Sequence, residues 1–514
     1  MERRERRNER VIARIDQDLV ALQLLRDAVA SAKAAQEEFA RFNQEQVDRV
    51  VQAAAEAAEA EAETLAREAV EETGFGVVEH KTMKNLFAAR DVYDSIRDVK
   101  TVGIIREDPR RKVVEAADPY GVIAAVIPST NPTSTAIFKC LIALKTRNAI
   151  VISPHPSASR CTIRAAEICA KAAYGAGAPR GLIGWVEKPT VELTEALMKH
   201  PDIQLILATG GAGLVRAAYS SGKPAYGVGP GNVPAYIEES ADVPRAVQDI
   251  FTSKTFDNGT ICASEQAVVV DRRVREEVIR EFRRHGAYML SPEEKEAVAK
   301  VLFPSPRKLN SGIVGKSAVY IASQAGITVP PGTKLLIGEE TRVAADVPFA
   351  LEKLSPVLAF YTVENWEEGC RCCIDLLALG GRGHSLVIHS GNEEIIREFL
   401  LQKPVSRVLV NTPAALGAIG ATTGLRPSMT LGCGSFGGNI TSDNITVEHL
   451  MNIKRLAYGT KEVIIGGSAA ASSEEELVKA VVQEVGPLVP HVNEQEISEV
   501  VREVMGRMKA GYRT

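Results

Sequence analysis

The sequence lacks the features that would place it in several large classes. It has no run of about 18 apolar residues, so no membrane span is expected. Its first ten residues, MERRERRNER, are charged, and no apolar stretch follows them, so no secretory leader is expected. Charge of one sign is missing too. Lys and Arg number 61 against 65 Asp and Glu, a net of −4, which supplies no pervasive basic surface for nucleic acid. Metal-ligand spacing is absent as well. The eight cysteines, at 140, 161, 169, 262, 370, 372, 373 and 433, fit no zinc ribbon or finger, and Cys370-x-Cys372-Cys373 has no His or Cys pair at ligand distance in sequence. No metal is expected, and reduced thiols in a cytoplasmic setting are. No internal repeat is visible.

What remains is an ordinary globular composition. The chain has 514 residues and is 45% hydrophobic, enough for a large core and more than one domain. Residues 8–70 contain neither Pro nor Gly and read as helix, with Val11, Ile12, Ile15, Leu19 and Leu22 on one face. Residues 101–116 alternate around Asp108-Pro109 and suggest a hairpin arm. From 118 onward, short apolar runs (Val122–Ile127, Ala149–Ile152, Ile203–Leu207, Ala267–Val270) alternate with helical stretches such as 160–174 and 191–199. Buried parallel strands joined by helices give this pattern, so the fold class is α/β. A second α/β block follows, with strand candidates Val357–Tyr361, Ser385–Ile388 and Val408–Val410. The expected segments are 1–251, 252–436, a return segment over 437–458, a linker with a short helix over 459–493, and a tail over 494–514. Ile497, Val500, Val501, Val504, Met505 and Met508 line one face of that tail.

Three features could carry chemistry. Cys262 stands in Phe256-Asp257-Asn258-Gly259-Thr260-Ile261-Cys262, where Asn-Gly favours a tight turn ahead of a strand. Such a cysteine can be displayed into a cleft, and its thiolate can add to a carbonyl; on the residues alone, a cysteine near a turn is more often buried and inert. Thr209-Gly210-Gly211-Ala212-Gly213 lies between a strand and a helix, where backbone amides can meet a pyrophosphate. It is not a G-x-G-x-x-G, so plain turn glycines remain an alternative. The same holds for the second loop, Gly227-Val228-Gly229-Pro230-Gly231-Asn232.

Longer stretches carry a resemblance. PSTNPTSTAIFKCLIALKTRNAIVISPHP (128–156), PDIQLILATGGAGLVRAAYSSGKPAYGVGPGN (201–232), SKTFDNGTICASEQ (253–266), EKLSPVLAFY (352–361) and PSMTLGCGSFGGN (427–439) resemble the aldehyde dehydrogenase superfamily. The likeness is closest to its CoA-acylating branch, found in bifunctional alcohol/aldehyde dehydrogenases and in bacterial microcompartments. It implies a Rossmann-type cofactor domain, an α/β catalytic domain and an oligomerisation arm. Cys262 matches the family nucleophile, and Asn131 the amide that holds the oxyanion together with the cysteine's own N–H. Thr209, Gly210 and Gly211 match the loop on the cofactor pyrophosphate, and Glu352 the glutamate on the nicotinamide ribose. Ser153 and His155 occupy the adenosine end, where the usual lysine is replaced, so NAD is expected with NADP open. His384 matches a recurring position without an assigned role.

One departure is informative. Hydrolytic members carry a general-base Glu where this chain has Tyr226-Gly227-Val228-Gly229-Pro230. Without a base to activate water, a thioester at Cys262 is expected to wait for the CoA thiol. The resemblance thus implies oxidation of a short-chain aldehyde to acyl-CoA, with a hydrolytic enzyme giving a free acid as the alternative. It also implies a homodimer or homotetramer. The tail looks like an encapsulation helix that docks on microcompartment shell proteins, which would place the enzyme in a microcompartment lumen; the Val11–Leu22 stripe is a rival for that role.

Overall fold

A computed structural model of the chain describes residues 16–461 and 474–511. Val11, Ile12 and Ile15 of the N-terminal stripe and the linker stretch 466–473 lie outside the described residues.

The expected single helix over 8–70 is three: Gln17–Phe39, Gln44–Ala60 and Ala62–Thr73. The break at 40–43 needs no Pro or Gly. Asn43 Oδ1 accepts the Gln46 N–H while the Gln46 side chain accepts the Asn43 N–H, a capping box that starts a new helix. The helix Gln44–Ala60 then buries Val47, Val50, Val51, Ala54, Ala55 and Ala58 along one side.

The hairpin follows as β1 (Gly103–Asp108) and β2 (Val113–Pro119), with Lys112 left-handed in the turn at φ 52°. A five-stranded parallel sheet comes next: β3 (Val122–Val126), β4 (Ala149–Ser153), β5 (Ile183–Trp185), β6 (Ile203–Thr209) and β7 (Ala225–Val228). Its order is β5-β4-β3-β6-β7. The chain starts in the middle at β3, winds outward to β5, then returns to the other side at β6. The reversal between β3 and β6 is a topological switch point, and ligands of open α/β sheets bind beyond the strand ends there.

Seven parallel strands form the second sheet: β8 (Val233–Ile237), β9 (Glu265–Asp271), β10 (Ala287–Met289), β11 (Leu335–Glu339), β12 (Val357–Val363), β13 (Gly383–His389) and β14 (Val405–Val410). They stand in the order β10-β11-β12-β9-β8-β13-β14. Because β8 pairs with both β9 and β13, this sheet begins at Val233, earlier than the expected boundary at 251. Residues alternate between two cores along its central strands. Ala235, Ile237, Val268 and Val270 enter one cluster, and Tyr236, Ala267 and Val269 enter the other. Both faces are covered, which is why these strands read as continuous apolar runs. β15 (Met451–Ala457) completes a third sheet in the order β1-β2-β15.

The chain divides into two compact units, Met1–Arg106 with Glu115–Arg455, and Glu107–Val114 with Leu456–Thr514. Both parallel sheets belong to the first. The second contains the helices Glu474–Val485 and Glu494–Gly511, which bury Val478 and Ile497. The tail's apolar stripe is therefore split: Ile497 is covered, while Val500, Val504 and Met508 stay exposed. No helix among the described residues is long and apolar enough to cross a membrane, and none of their His, Cys, Asp and Glu side chains form a group of three or more that could hold a metal.

Candidate active site

A cleft of about 570 Å³ opens at the switch point and brings together most of the candidate residues. Asn131, His155, Thr209, Gly210, Gly211, Cys262 and Glu352 all line it. Its size is that of a small-molecule site.

The sequence around Cys262 folds as an unusual turn. Asp257 and Asn258 both adopt left-handed backbone (φ 49° and 53°), followed by Gly259 at φ 72°. Asn and Asp tolerate this conformation better than other side chains, yet it costs roughly 1–2 kcal/mol per residue. The surroundings hold it. The Asp257 N–H donates to His80 Nδ1 at 2.8 Å, and Asp257 Oδ1 accepts the Val77 N–H at 2.8 Å. Asn258 Nδ2 donates to the Gly315 carbonyl at 2.9 Å. Three residues later Cys262 sits half-buried at the cleft, just before β9. Gly231 lets the second glycine loop pack against it, since a Cβ there would fall 2.3 Å from the Cys262 carbonyl oxygen.

Burial pushes the Cys262 thiol up to about 12, helped by the Glu352 carboxylate and by Cys433 and opposed by Arg407. In the free protein the thiol is protonated at neutral pH, so its reactivity depends on what enters the cleft. Glu352 is itself raised to about 7 by burial, although its Oε1 accepts the Gly231 N–H at 3.0 Å. Arg407 is committed elsewhere. It donates to the His384 carbonyl at 3.0 Å, to the Gly432 carbonyl at 2.6 Å and to Asn444 Oδ1 at 2.8 Å.

Asn131 precedes Pro132, the first residue of the buried helix Pro132–Lys145, yet its side chain does not cap that helix. Its Oδ1 accepts from Lys84 Nζ at 2.6 Å. An ammonium only donates, so this contact fixes which end of the amide is oxygen. Nδ2 donates one hydrogen to Thr130 Oγ1 at 3.2 Å, leaving the second for a ligand oxygen.

The first glycine loop is open. Gly211 is the N-cap of the helix Ala212–Tyr219 and supplies no side-chain cap, so the first helical amides lack that partner. Nothing lies within 4 Å of a Cβ built on Gly211 or Gly213. A pyrophosphate fits such a cradle, where bare amides and the helix dipole favour an anion. Val191, Met198, Leu214 and Ala217 give the adjoining wall an apolar surface suited to a flat base. The residues present therefore fit a nicotinamide dinucleotide: the cradle for the phosphates, the apolar wall for adenine, and Glu352 for a ribose.

Not every expected residue reaches the cleft. Ser153 is fully buried at the end of β4, where its hydroxyl is bonded to Thr194 Oγ1 at 2.8 Å; Thr194 is the one that lines the opening. His155 lines it, with Nδ1 accepting the Ser157 N–H at 3.2 Å and burial keeping the ring neutral. His384 is fully buried, 3.1 Å from Ser385 Oγ through Nδ1, with Nε2 lacking a partner. Burial and Arg407 lower it to about 3, so it is neutral. The expected second loop is partly strand: Gly227 and Val228 belong to β7, and only 229–232 form a loop. Val228, Gly229 and Pro230 line the cleft, and no acidic side chain occurs over 226–230.

Similarity to known proteins settles the family. The profile of the aldehyde dehydrogenase family matches residues 1–293. The chain belongs to the aldehyde dehydrogenase family. It is 50% identical to the bifunctional aldehyde-alcohol dehydrogenase AdhE of Escherichia coli K12 over 434 residues, 84% of this chain and 49% of AdhE. The chain thus spans about half the length of that curated relative. The crystal structure of an acetylating aldehyde dehydrogenase from Geobacillus thermoglucosidasius is 55% identical, with a TM-score of 0.87 over 88% of this chain and all of that one. A propionaldehyde dehydrogenase from the Clostridium phytofermentans fucose utilisation bacterial microcompartment is 29% identical, with a TM-score of 0.78 over 84% of this chain and 97% of its own. In this family member, the residues missed from sequence alone are Lys84, Asp257, Thr260 and Arg407. All are charged or polar and buried in or beneath the cleft wall.

Proposed function

We propose that this aldehyde dehydrogenase converts a short-chain aldehyde to acyl-CoA, with NAD+ as the oxidant and coenzyme A as the acyl acceptor. The observation that carries the reading is a cleft holding Cys262 and Asn131 in which the segment Val228–Pro230 contributes no carboxylate to activate water, while Glu352 is engaged by the Gly231 N–H. The acetylating activity named for the Geobacillus relative supports it.

In this reading the Cys262 thiolate adds to the aldehyde carbonyl. The oxyanion that forms accepts hydrogen bonds from Asn131 Nδ2 and the Cys262 N–H, a type of stabilisation worth about 3–4 kcal/mol per donor. Thr209, Gly210 and Gly211 hold the cofactor phosphates, His155 and the apolar wall bound its adenosine end, and Glu352 positions its ribose. The dinucleotide supplies the hydride acceptor. Collapse of the tetrahedral species leaves the acyl group on Cys262 as a thioester. The CoA thiol then takes that acyl group by thiol exchange and frees Cys262. NADP use is the variant to compare at Pro154–Pro156.

The chain works as a homo-oligomer, and its C-terminal helix docks on a microcompartment shell. The exposed Val500, Val504 and Met508 face and the microcompartment origin of the Clostridium phytofermentans relative support the second point. Fusing residues 460–514 to a fluorescent protein tests it: capture by co-expressed shells is expected, and a diffuse signal overturns it. The reaction is tested with a panel of short aldehydes, NAD+ and CoA. NADH and acyl-CoA should appear together, and free acid formed at an undiminished rate without CoA would replace this reading by the hydrolytic one.

A further inference from the structure

Beneath the cleft wall lies a buried cluster that the reaction described above does not use. The helix Val78–Leu86 presents Lys81 and Lys84, three residues apart on one face, to the turn before Cys262. Both ammonium groups contact Asp257 Oδ2, Lys81 at 3.0 Å and Lys84 more closely, and all three side chains are almost fully buried. Asp257 Oδ2 also accepts from Thr260 Oγ1 at 2.6 Å. Burial works to raise the Asp257 carboxyl, and the two lysines overcome it and hold it at about 2.

The charge count is unusual. One buried carboxylate needs one cation, and Lys81 already supplies it. A second buried ammonium carries a desolvation cost that the pairing does not require. Burial, opposed by Asp257 and aided by Lys81, lowers Lys84 to about 7. What Lys84 adds is a set of contacts to the cleft. It donates to Asn131 Oδ1 at 2.6 Å and lies 3.3 Å from Thr260 Oγ1, and both of those residues line the opening. Lys81 donates instead to the Thr130 carbonyl, at 3.1 Å, on the same loop.

We infer that Lys84 is a positioning residue: it locks the Asn131 amide with its N–H end toward the bound aldehyde oxygen and ties that amide, through Asp257, to the turn that carries Cys262. The oxyanion donor and the nucleophile come from two different sheets, one after β3 and one before β9. Lys81 and Lys84 both span them from a third element, Lys81 through the Thr130 carbonyl, and of the two only Lys84 holds the Asn131 amide itself. The assignment rests on the reading of Cys262 and Asn131 given above.

A double-mutant cycle tests it. Lys84→Met keeps the apolar stem and leaves a balanced Lys81–Asp257 pair, so the fold should hold. Its kcat should fall about 10–100-fold, the scale of a misplaced reacting group. KM for NAD+ should stay within about twofold, because the phosphate cradle is untouched. Asn131→Ala should lose as much or more, and the Lys84→Met/Asn131→Ala double variant should be no worse than Asn131→Ala alone. Losses that multiply, or a Lys84→Met kcat within about twofold of wild type, overturn the assignment. Should Lys84→Met not fold, Lys84→Gln takes its place in the cycle under the same criterion. Wild type and Cys262→Ala run in the same series. CoA-dependent turnover lost only in Cys262→Ala, with Lys84→Met unaffected, removes Lys84 and leaves the enzyme reading standing. Turnover retained in Cys262→Ala removes both.

Discussion

The two sides of the cleft are built in opposite ways. On the nucleophile side, the left-handed turn over Asp257–Gly259 is held by His80, Val77, Lys81, Lys84 and the Gly315 carbonyl, with the two lysine contacts buried and the others half-buried. On the cofactor side, a Cβ built on Gly211 or Gly213 would meet nothing within 4 Å, and the helix Ala212–Tyr219 starts without a side-chain cap. The first side spends its polar groups on the protein; the second leaves them for a ligand. The difference follows from the task. A reacting sulfur must be in place before the substrate arrives, whereas donors aimed at a phosphate must be unpaired until it binds.

The contrast is broken most severely at the sulfur. Cys262→Ala should abolish acyl-CoA formation while NAD+ still binds, measured by turnover and by cofactor titration. Next, Asn131→Ala should lower kcat by about 10²–10³ through the loss of one oxyanion donor, with little change in the thermal midpoint. On the open side, Gly211→Ala adds a Cβ that meets nothing within 4 Å in the free protein, so stability should fall by no more than the roughly 1 kcal/mol of a poorer N-cap. The added side chain would occupy the phosphate cradle and raise KM for NAD+ by about tenfold, equivalent to roughly 1.4 kcal/mol. The rate of Cys262 alkylation by iodoacetamide should not move, since the pinned side is untouched.

Glu352→Gln sharpens the comparison because it acts on both sides with opposite signs. The carboxylate raises the Cys262 thiol, and burial raises the carboxylate to about 7. Above that pH Glu352 is ionised and opposes the thiolate; the neutral amide does not. Alkylation of Cys262 should therefore be faster in Glu352→Gln than in wild type above pH about 7, and the two should converge below it, where Glu352 is protonated. Affinity for NAD+ should drop at the same time. A wild-type alkylation profile superimposable on that of Glu352→Gln at every pH would contradict the electrostatic coupling.

How much of this could be read in advance follows the same division. The α/β class and the strands at β3, β4, β6, β9, β12, β13 and β14 were visible as apolar runs because both sheet faces are buried. β5 and β10 are three residues each, too short to show a pattern. β7 was hidden by the glycines of the loop it leads into. Cys262, Asn131 and Glu352 stand in family stretches, with Asn-Gly the one local signal, and the fold brings them to one cleft. Ser153 is buried against Thr194, since the alternation of a strand end does not say whether the last side chain faces the cleft or the neighbouring helix. Lys81 and Lys84 carry no signal in the sequence, since two lysines on one helical face normally mark a solvated surface. Only the fold reveals Asp257, 173 residues from Lys84 in sequence, as their counter-charge.

In the proposed reaction, water is badly placed to release the acyl group from Cys262. The direct test follows NADH over time with aldehyde and NAD+, first without CoA and then after its addition. The account predicts at most a burst of about one NADH per Cys262, followed by near silence until CoA restores steady turnover. Sustained turnover without CoA, with free acid as the product, would contradict it.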